Sequence, residues 1–179
     1  GRRFDTLQQC DLSILPKTMD IMALAYGAVI AEAVENLTED YSPQEEIFIL
    51  LQQALVLLSS HNKRLVVVSS LCKLLSLCGF DPELETCTTC HEKIEGDAYF
   101  STVQGGVVCD NCSTGAELPF AVGTRELMLK LQHLDFENPE KFVVRGADLM
   151  QLEQTLYKFL VYQTDKPLVS LQFLAQMSV

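Results

Sequence analysis

Positive charge is scarce in this sequence. Thirteen Lys and Arg stand against 24 Asp and Glu, giving a formal net charge of -11 over 179 residues. A segment so acidic repels phosphate backbones as a whole, which excludes a broad nucleic-acid face built from this chain alone. The basic residues are also dispersed. Lys63-Arg64 at one helix start, and Arg125 with Lys130 further on, read as solvated positions paired with neighbouring carboxylates. Long apolar runs are missing as well: none reaches the about 18 residues of a membrane-spanning helix. The opening Gly1-Arg2-Arg3-Phe4-Asp5 leads into no apolar stretch of the secretory type. No Gly-rich phosphate loop is present, because Gly105-Gly106 reads as a hairpin turn. Nor is there a nucleophile set. Ser69-Ser70 has no histidine in a workable relation, and His61, His91 and His133 are scattered beside lone carboxylates. Repeats and low-complexity tracts are lacking too.

What is present is apolar material and cysteine. Hydrophobic residues make up 48% and the mean hydropathy is +0.16, enough for a real core in one domain, or one domain with a small insertion. Four of the seven cysteines form two Cys-x-x-Cys pairs, Cys87/Cys90 and Cys109/Cys112. Each pair sets two thiolates on one side of a tight knuckle, and two facing knuckles close a tetrahedron of sulfurs. Zinc is the expected ion, with a rubredoxin-like iron site or disulfides as alternatives. Four protein ligands leave no place for water or substrate, so the expected role is structural and not catalytic. His91 follows Cys90 and is expected to point outward. Four thiolates and one Zn²⁺ bring the charge to about -13. Cys10, Cys72 and Cys78 stand apart, the latter two in an apolar helical stretch where cysteine acts as a small core residue.

Periodicity places helices on both sides of the cysteines. Residues 1–15 read as a linker. Residues 17–37 are apolar on most sides, with Met22, Tyr26, Val29, Ala33 and Leu37 at helical spacing, which predicts a helix central in the core. Ser42, Pro43 and Glu45 look like a cap, a first helical residue and a capping-box partner for residues 43–59, whose buried stripe is Ile47, Leu50, Leu51, Ala54 and Leu58. Residues 63–78 follow. Val66-Val67-Val68 favours a strand, but length and the recurrence through Leu77 favour a helix ending at Gly79. Residues 80–118 turn to short runs: strands at Ala98–Ser101 and Val107-Val108 around Gly105-Gly106. After these come a helix around Leu127, Met128 and Leu131, and a cap-like start or a turn at Asn138-Pro139-Glu140. Asp148 with Gln151 forms an expected capping box ahead of Leu149–Leu160, and Lys166-Pro167 opens a last helix with Leu168, Leu171 and Leu174. Phe159, Tyr162 and Phe173 read as core.

One stretch is more specific. Gly79-Phe80-x-Pro82-x-Leu84-x-x-Cys87-x-x-Cys90, then Tyr99-Phe100-Ser101, then Gly105-Gly106-Val107-Val108-Cys109-x-x-Cys112, resembles the central segment of the bacterial recombination-mediator family RecO. The likeness covers nearly the whole chain, beginning from Asp5-Thr6-Leu7. It implies an N-terminal OB-fold followed by a helical domain interrupted by a zinc element. It also implies binding of single- and double-stranded DNA, strand annealing, engagement of RecR and single-stranded-DNA-binding protein, and help in loading RecA, all in the bacterial cytoplasm. The OB-fold has no counterpart in this sequence, which weakens the expectation of direct DNA binding.

The expectation is thus a mainly α protein, a helical bundle (16–79 and 119–179) with an inserted small β zinc ribbon (80–118). Cys87, Cys90, Cys109 and Cys112 hold structural Zn²⁺, and Arg2 and Arg3 touch DNA. The expected function is non-catalytic, RecO-like repair and recombination mediation with no membrane association. The alternatives are a zinc-ribbon adaptor of transcription or translation, or a zinc-dependent hydrolase or deaminase.

Overall fold

The computed structural model describes residues 20–39, 44–139 and 143–177. The expectations for residues 1–15, for Arg2 and Arg3, for Cys10 and for Ser42-Pro43 lie outside the described residues. Among those described, six helices surround or flank one small sheet. In chain order they are α1 (Ile21–Leu37), α2 (Glu45–Leu57), α3 (Lys63–Leu77), β1 (Ala98–Ser101), β2 (Gly106–Val108), β3 (Leu118–Phe120), α4 (Val122–Gln132), α5 (Gly146–Thr164) and α6 (Val169–Met177).

Local chemistry fixes the ends. The Asp20 carboxylate accepts the Ala23 N–H at 2.7 Å and starts α1. The Asn62 side chain accepts from Arg64 and Leu65 and starts α3. At the other end of α3, Gly79 takes φ +79°, the Phe80 N–H donates to Leu75, and the Gly79 N–H donates to Ser76, a paired closure that needs a left-handed residue. The Val66-Val67-Val68 run is helical because burial overrides propensity: every residue from Val66 to Cys72 is buried, with α1, α2, α4 and α5 packed around. The centre of the bundle therefore belongs to α3. The first helix, expected there, leaves Ile21 and Leu24 exposed. Ser69 and Ser70 fit this core because their hydroxyls donate to the Leu131 and Val66 carbonyls, each at 2.7 Å.

Four expectations need correction. The second helix begins at Glu45, and Gln44 at its N-cap makes no side-chain bond. A third strand, β3, crosses the expected ribbon boundary at 118/119. It pairs antiparallel with β1, giving the order β2-β1-β3, and Pro119 is tolerated because β3 is an edge. Asp148 and Gln151 are no capping box. The helix α5 starts at Gly146, so Asp148 lies within its first turn and pairs with Arg145 at 2.7 Å. Gln151 instead accepts the Ala121 N–H at 2.9 Å and the Thr124 hydroxyl at 2.6 Å, tying α5 to the β3–α4 junction. Finally, Phe159 is core but Tyr162 and Phe173 are about half exposed, at 50% and 48%. Asn138-Pro139 falls in a turn organised by Asp135, whose carboxylate accepts the Glu137 N–H at 2.8 Å.

The sheet shares the helical core. The Phe100 ring on β1 packs tilted at 5.3 Å from Phe120 of β3 and edge-on at 5.4 Å from Phe159 of α5. The helix α6 docks through the Glu32 carboxylate of α1, which accepts the Val169 and Ser170 N–H groups at 2.7 and 2.8 Å and the Ser170 hydroxyl. No helix among the described residues is long and apolar enough to cross a membrane.

Candidate metal centre

The first knuckle closes on its own backbone. The Cys87 N–H donates to Glu92 at 2.9 Å and the His91 N–H donates to Cys87 at 2.8 Å. His91 adopts φ +62° to complete the turn and stays exposed, as expected from its place after Cys90. The second knuckle continues β2: Val108 passes into Cys109, a 3-10 turn covers Asp110–Cys112, and the Cys112 and Ser113 N–H groups donate to the Cys109 carbonyl at 3.1 and 3.0 Å. The loop that follows is gathered by Glu117, whose carboxylate accepts from the Ser113 and Thr114 hydroxyls and from the Thr114 and Gly115 N–H groups. Its own backbone N–H, then the Ser113 and Thr114 donors, bring this carboxyl down to about 2 against a smaller effect of burial.

The two knuckles face one another. The four sulfurs lie within 4.8 Å of each other, and Cys90 Sγ stands 3.8 Å from Cys109 Sγ. A metal at about 2.3 Å from each of four sulfurs in a tetrahedron requires sulfur pairs about 3.8 Å apart, so these thiols fit such an ion. All six cysteines among the described residues carry free thiols. The Cys109 N–H points at Cys87 Sγ at 3.4 Å. Burial raises the Cys87 thiol, but the N–H groups of Cys109, Cys90 and Thr89 outweigh it and bring it down to about 6. Contacts with the Cys109 and Cys90 thiols push Cys112 the other way, up to about 12. Without a cation the cluster holds its first negative charge easily and its last with difficulty, which is the electrostatic condition a divalent ion relieves.

The hairpin is clamped to its lead-in. The Glu83 N–H donates to the Gly105 carbonyl at 3.0 Å, the Val107 N–H donates to Glu83 at 2.9 Å, and the Thr88 N–H donates to Val107 at 2.9 Å. Gly106 must be glycine, since a Cβ there would stand 2.6 Å from the Glu83 carbonyl oxygen. Gly105 takes φ +68°, and a Cβ built there would stand 3.9 Å from the Phe159 ring. The short motif Pro82-x-Leu84 ahead of the first knuckle and Gly-Gly ahead of the second are thus two halves of one backbone pairing.

The family described as "Recombination protein O C terminal" matches residues 19–172. The chain belongs to the RecO family. It is 30% identical over 178 residues to the DNA repair protein RecO of Pelotomaculum thermopropionicum, covering 97% of this chain and 70% of that protein. Against the RecO of Desulforamulus reducens it is 27% identical, with the same coverage. Against that of Bacillus pumilus it is 28% identical, covering 96% of this chain and 69% of the relative.

The structure brings together all four cysteines expected as ligands. Of the basic positions, Lys63 and Arg64 are paired with carboxylates as expected, and Arg125 is not on a solvated face. Lys63 pairs with Asp20 at 3.1 Å and Arg64 pairs with Glu153 through two nitrogens. Arg125 is buried on α4, and its Nη1 has no hydrogen-bond partner among the described residues, contrary to the expectation of a solvated face. The sequence carries no reading of Glu83 or of Asp97, whose carboxylate accepts the Val122 N–H at 2.9 Å and starts α4. Only Asp97 had a local signal, an acidic residue flanking a strand; its use as a cap 25 residues onward is tertiary.

Proposed function

We propose that this chain binds one zinc ion through Cys87, Cys90, Cys109 and Cys112 and serves, without catalysis, as the partner-presenting scaffold of a DNA repair mediator. The observation that carries the reading is the convergence of four thiols at tetrahedral spacing within a RecO-family chain. Zinc suits an all-thiolate tetrahedron, and with every position taken by sulfur it supplies cohesion and no site for a reacting group. The helical part and the ribbon act as one body because Phe100 of β1 packs edge-on against Phe159 of α5.

In the intact mediator, in the bacterial cytoplasm, single strands are bound and annealed, and RecR and single-stranded-DNA-binding protein are engaged so that RecA is loaded. This is strand handling by binding energy. The chain's net charge of -11 assigns most DNA contact to parts outside this scaffold, with Arg2 and Arg3 contributing at the linker. A seat for the acidic, Phe-ended tail of single-stranded-DNA-binding protein is available between α2 and α3. There a cavity of about 350 Å³ is lined by Ile49, Leu50 and Leu77 with Lys73 at its wall. The Lys73 amine lies 5.3 Å over the Phe136 ring and donates to the Gln132 carbonyl at 3.1 Å, so it is held at the cavity instead of swinging in solvent. Titration calorimetry with the tail peptide tests this: the wild-type chain binds and Lys73→Ala binds more weakly. Absence of binding by both this chain and the intact mediator would remove the partner from the reading.

A further inference from the structure

The four thiols of the cage are not equivalent. Cys87 is fully buried, and its sulfur accepts the Cys109 N–H at 3.4 Å. Cys109 and Cys112 are half-buried, while Cys90 is exposed. Across the cage, the Cys109 sulfur stands 3.8 Å from that of Cys90. A small electrophile reaches the cluster where a sulfur is accessible, and among the four Cys90 is the exposed one. The two cysteines belong to different knuckles, so a bond between them replaces the ion's grip with a link of a different length, about 2.05 Å between sulfurs.

We infer that the cage opens at Cys90, and that a peroxide joins Cys90 to Cys109 as a disulfide with release of the cation, making the ribbon a redox-responsive element. This rests on the zinc reading above. The Cys90 thiolate attacks one peroxide oxygen. The O–O bond breaks, the sulfur becomes a sulfenic acid, and the departing hydroxide takes a proton to give water. The Cys109 thiolate then attacks the Cys90 sulfur and expels the second hydroxide, which also leaves as water. Two sulfurs give up two electrons, and the peroxide takes them. Two thiolate ligands are lost together, and the remaining pair, Cys87 and Cys112, cannot hold the ion in a closed tetrahedron. Cation release removes the tie between the knuckles that flank the Glu83–Val107 and Thr88–Val107 pairing.

The test uses the chain as purified, its metal content measured first. Hydrogen peroxide is added below stoichiometry, released cation is read with a chromogenic chelator, and the cysteines are mapped by alkylation and peptide mass spectrometry. Expected are one cation lost per disulfide, a cross-linked peptide joining Cys90 to Cys109, and restoration of both by a dithiol with added zinc. Cys78→Ser, outside the cage, leaves release unchanged, whereas Cys90→Ser abolishes the disulfide. A chain that binds no cation overturns this inference together with the zinc reading. A loaded chain whose first disulfide contains Cys87 or Cys112, or which keeps its cation while Cys90 oxidises, overturns the inference alone.

Discussion

The helical body and the ribbon reach order by different means. In the body, α3 is wrapped by four other helices and buries an unbroken run from Val66 to Cys72, so hydrophobic burial suffices and the polar groups inside need only local bonds. The ribbon has strands of three or four residues and few apolar side chains of its own: Leu84, Ile94, Ala98, Phe100, Val107, Val108 and Phe120. It draws on the Phe159 ring of α5 from outside, and its four facing thiols are placed so that they could hold a metal ion between the knuckles. The comparison teaches that an insertion need not bring its own core when one face is lent by the host and the other carries thiols that could pin it through a metal.

The sharpest way to break the comparison is to remove the ion. Cys109→Ser, or chelation, should unfold the ribbon, since structural zinc supplies apparent free energies of about 10–16 kcal/mol. The helical circular dichroism should largely persist. Limited proteolysis should then cut within 85–117 and spare α1–α3. Equal loss of both regions would show that they are one cooperative unit. The next largest effect is expected at the shared ring. Phe159→Ala deletes the contact from both sides and should cost about 3–5 kcal/mol in denaturant unfolding, while bound metal stays stoichiometric. Gly106→Ala should act on the ribbon alone. Its Cβ forces the Glu83 pairing apart, at about 1–3 kcal/mol, visible as faster amide exchange at Glu83 and Val107.

The smallest expected effect lies in the body and depends on pH. Burial raises the Glu32 carboxyl, but the Ser170 hydroxyl and the Ser170 and Val169 N–H groups outweigh it and hold it below its ordinary value of 4.5. A depressed carboxylate contributes stability that is fully present above that ordinary value and fades as pH falls through the folded one. Acid titration below pH 4.5 should therefore loosen α6 before the rest of the bundle, and Glu32→Gln should flatten that dependence when followed by amide exchange in α6.

Much of this was legible in the sequence, and the boundary of legibility has a physical cause. The helices were readable from spacing because their buried stripes repeat within one element. The four ligands were readable because a Cys-x-x-Cys knuckle is a local device. What was not readable depends on partners distant in sequence. The strand at Leu118–Phe120 is three residues long and takes its identity from β1. Gln151 mimics a capping-box partner, yet serves Ala121 and Thr124 some 30 and 27 residues away. Arg125 carries a charge that suggests a surface, and only the packing of α4 reveals its burial. Tyr162 and Phe173 follow the apolar rhythm of their helices but fall on the outer face, which periodicity alone does not distinguish from the inner one.

X-ray absorption at the zinc edge of the purified chain tests the closed four-sulfur cage most directly. The account predicts four sulfur scatterers at about 2.3 Å and no lighter neighbour. A spectrum fitted by three sulfurs with an oxygen or nitrogen, or by no zinc at all, would contradict it.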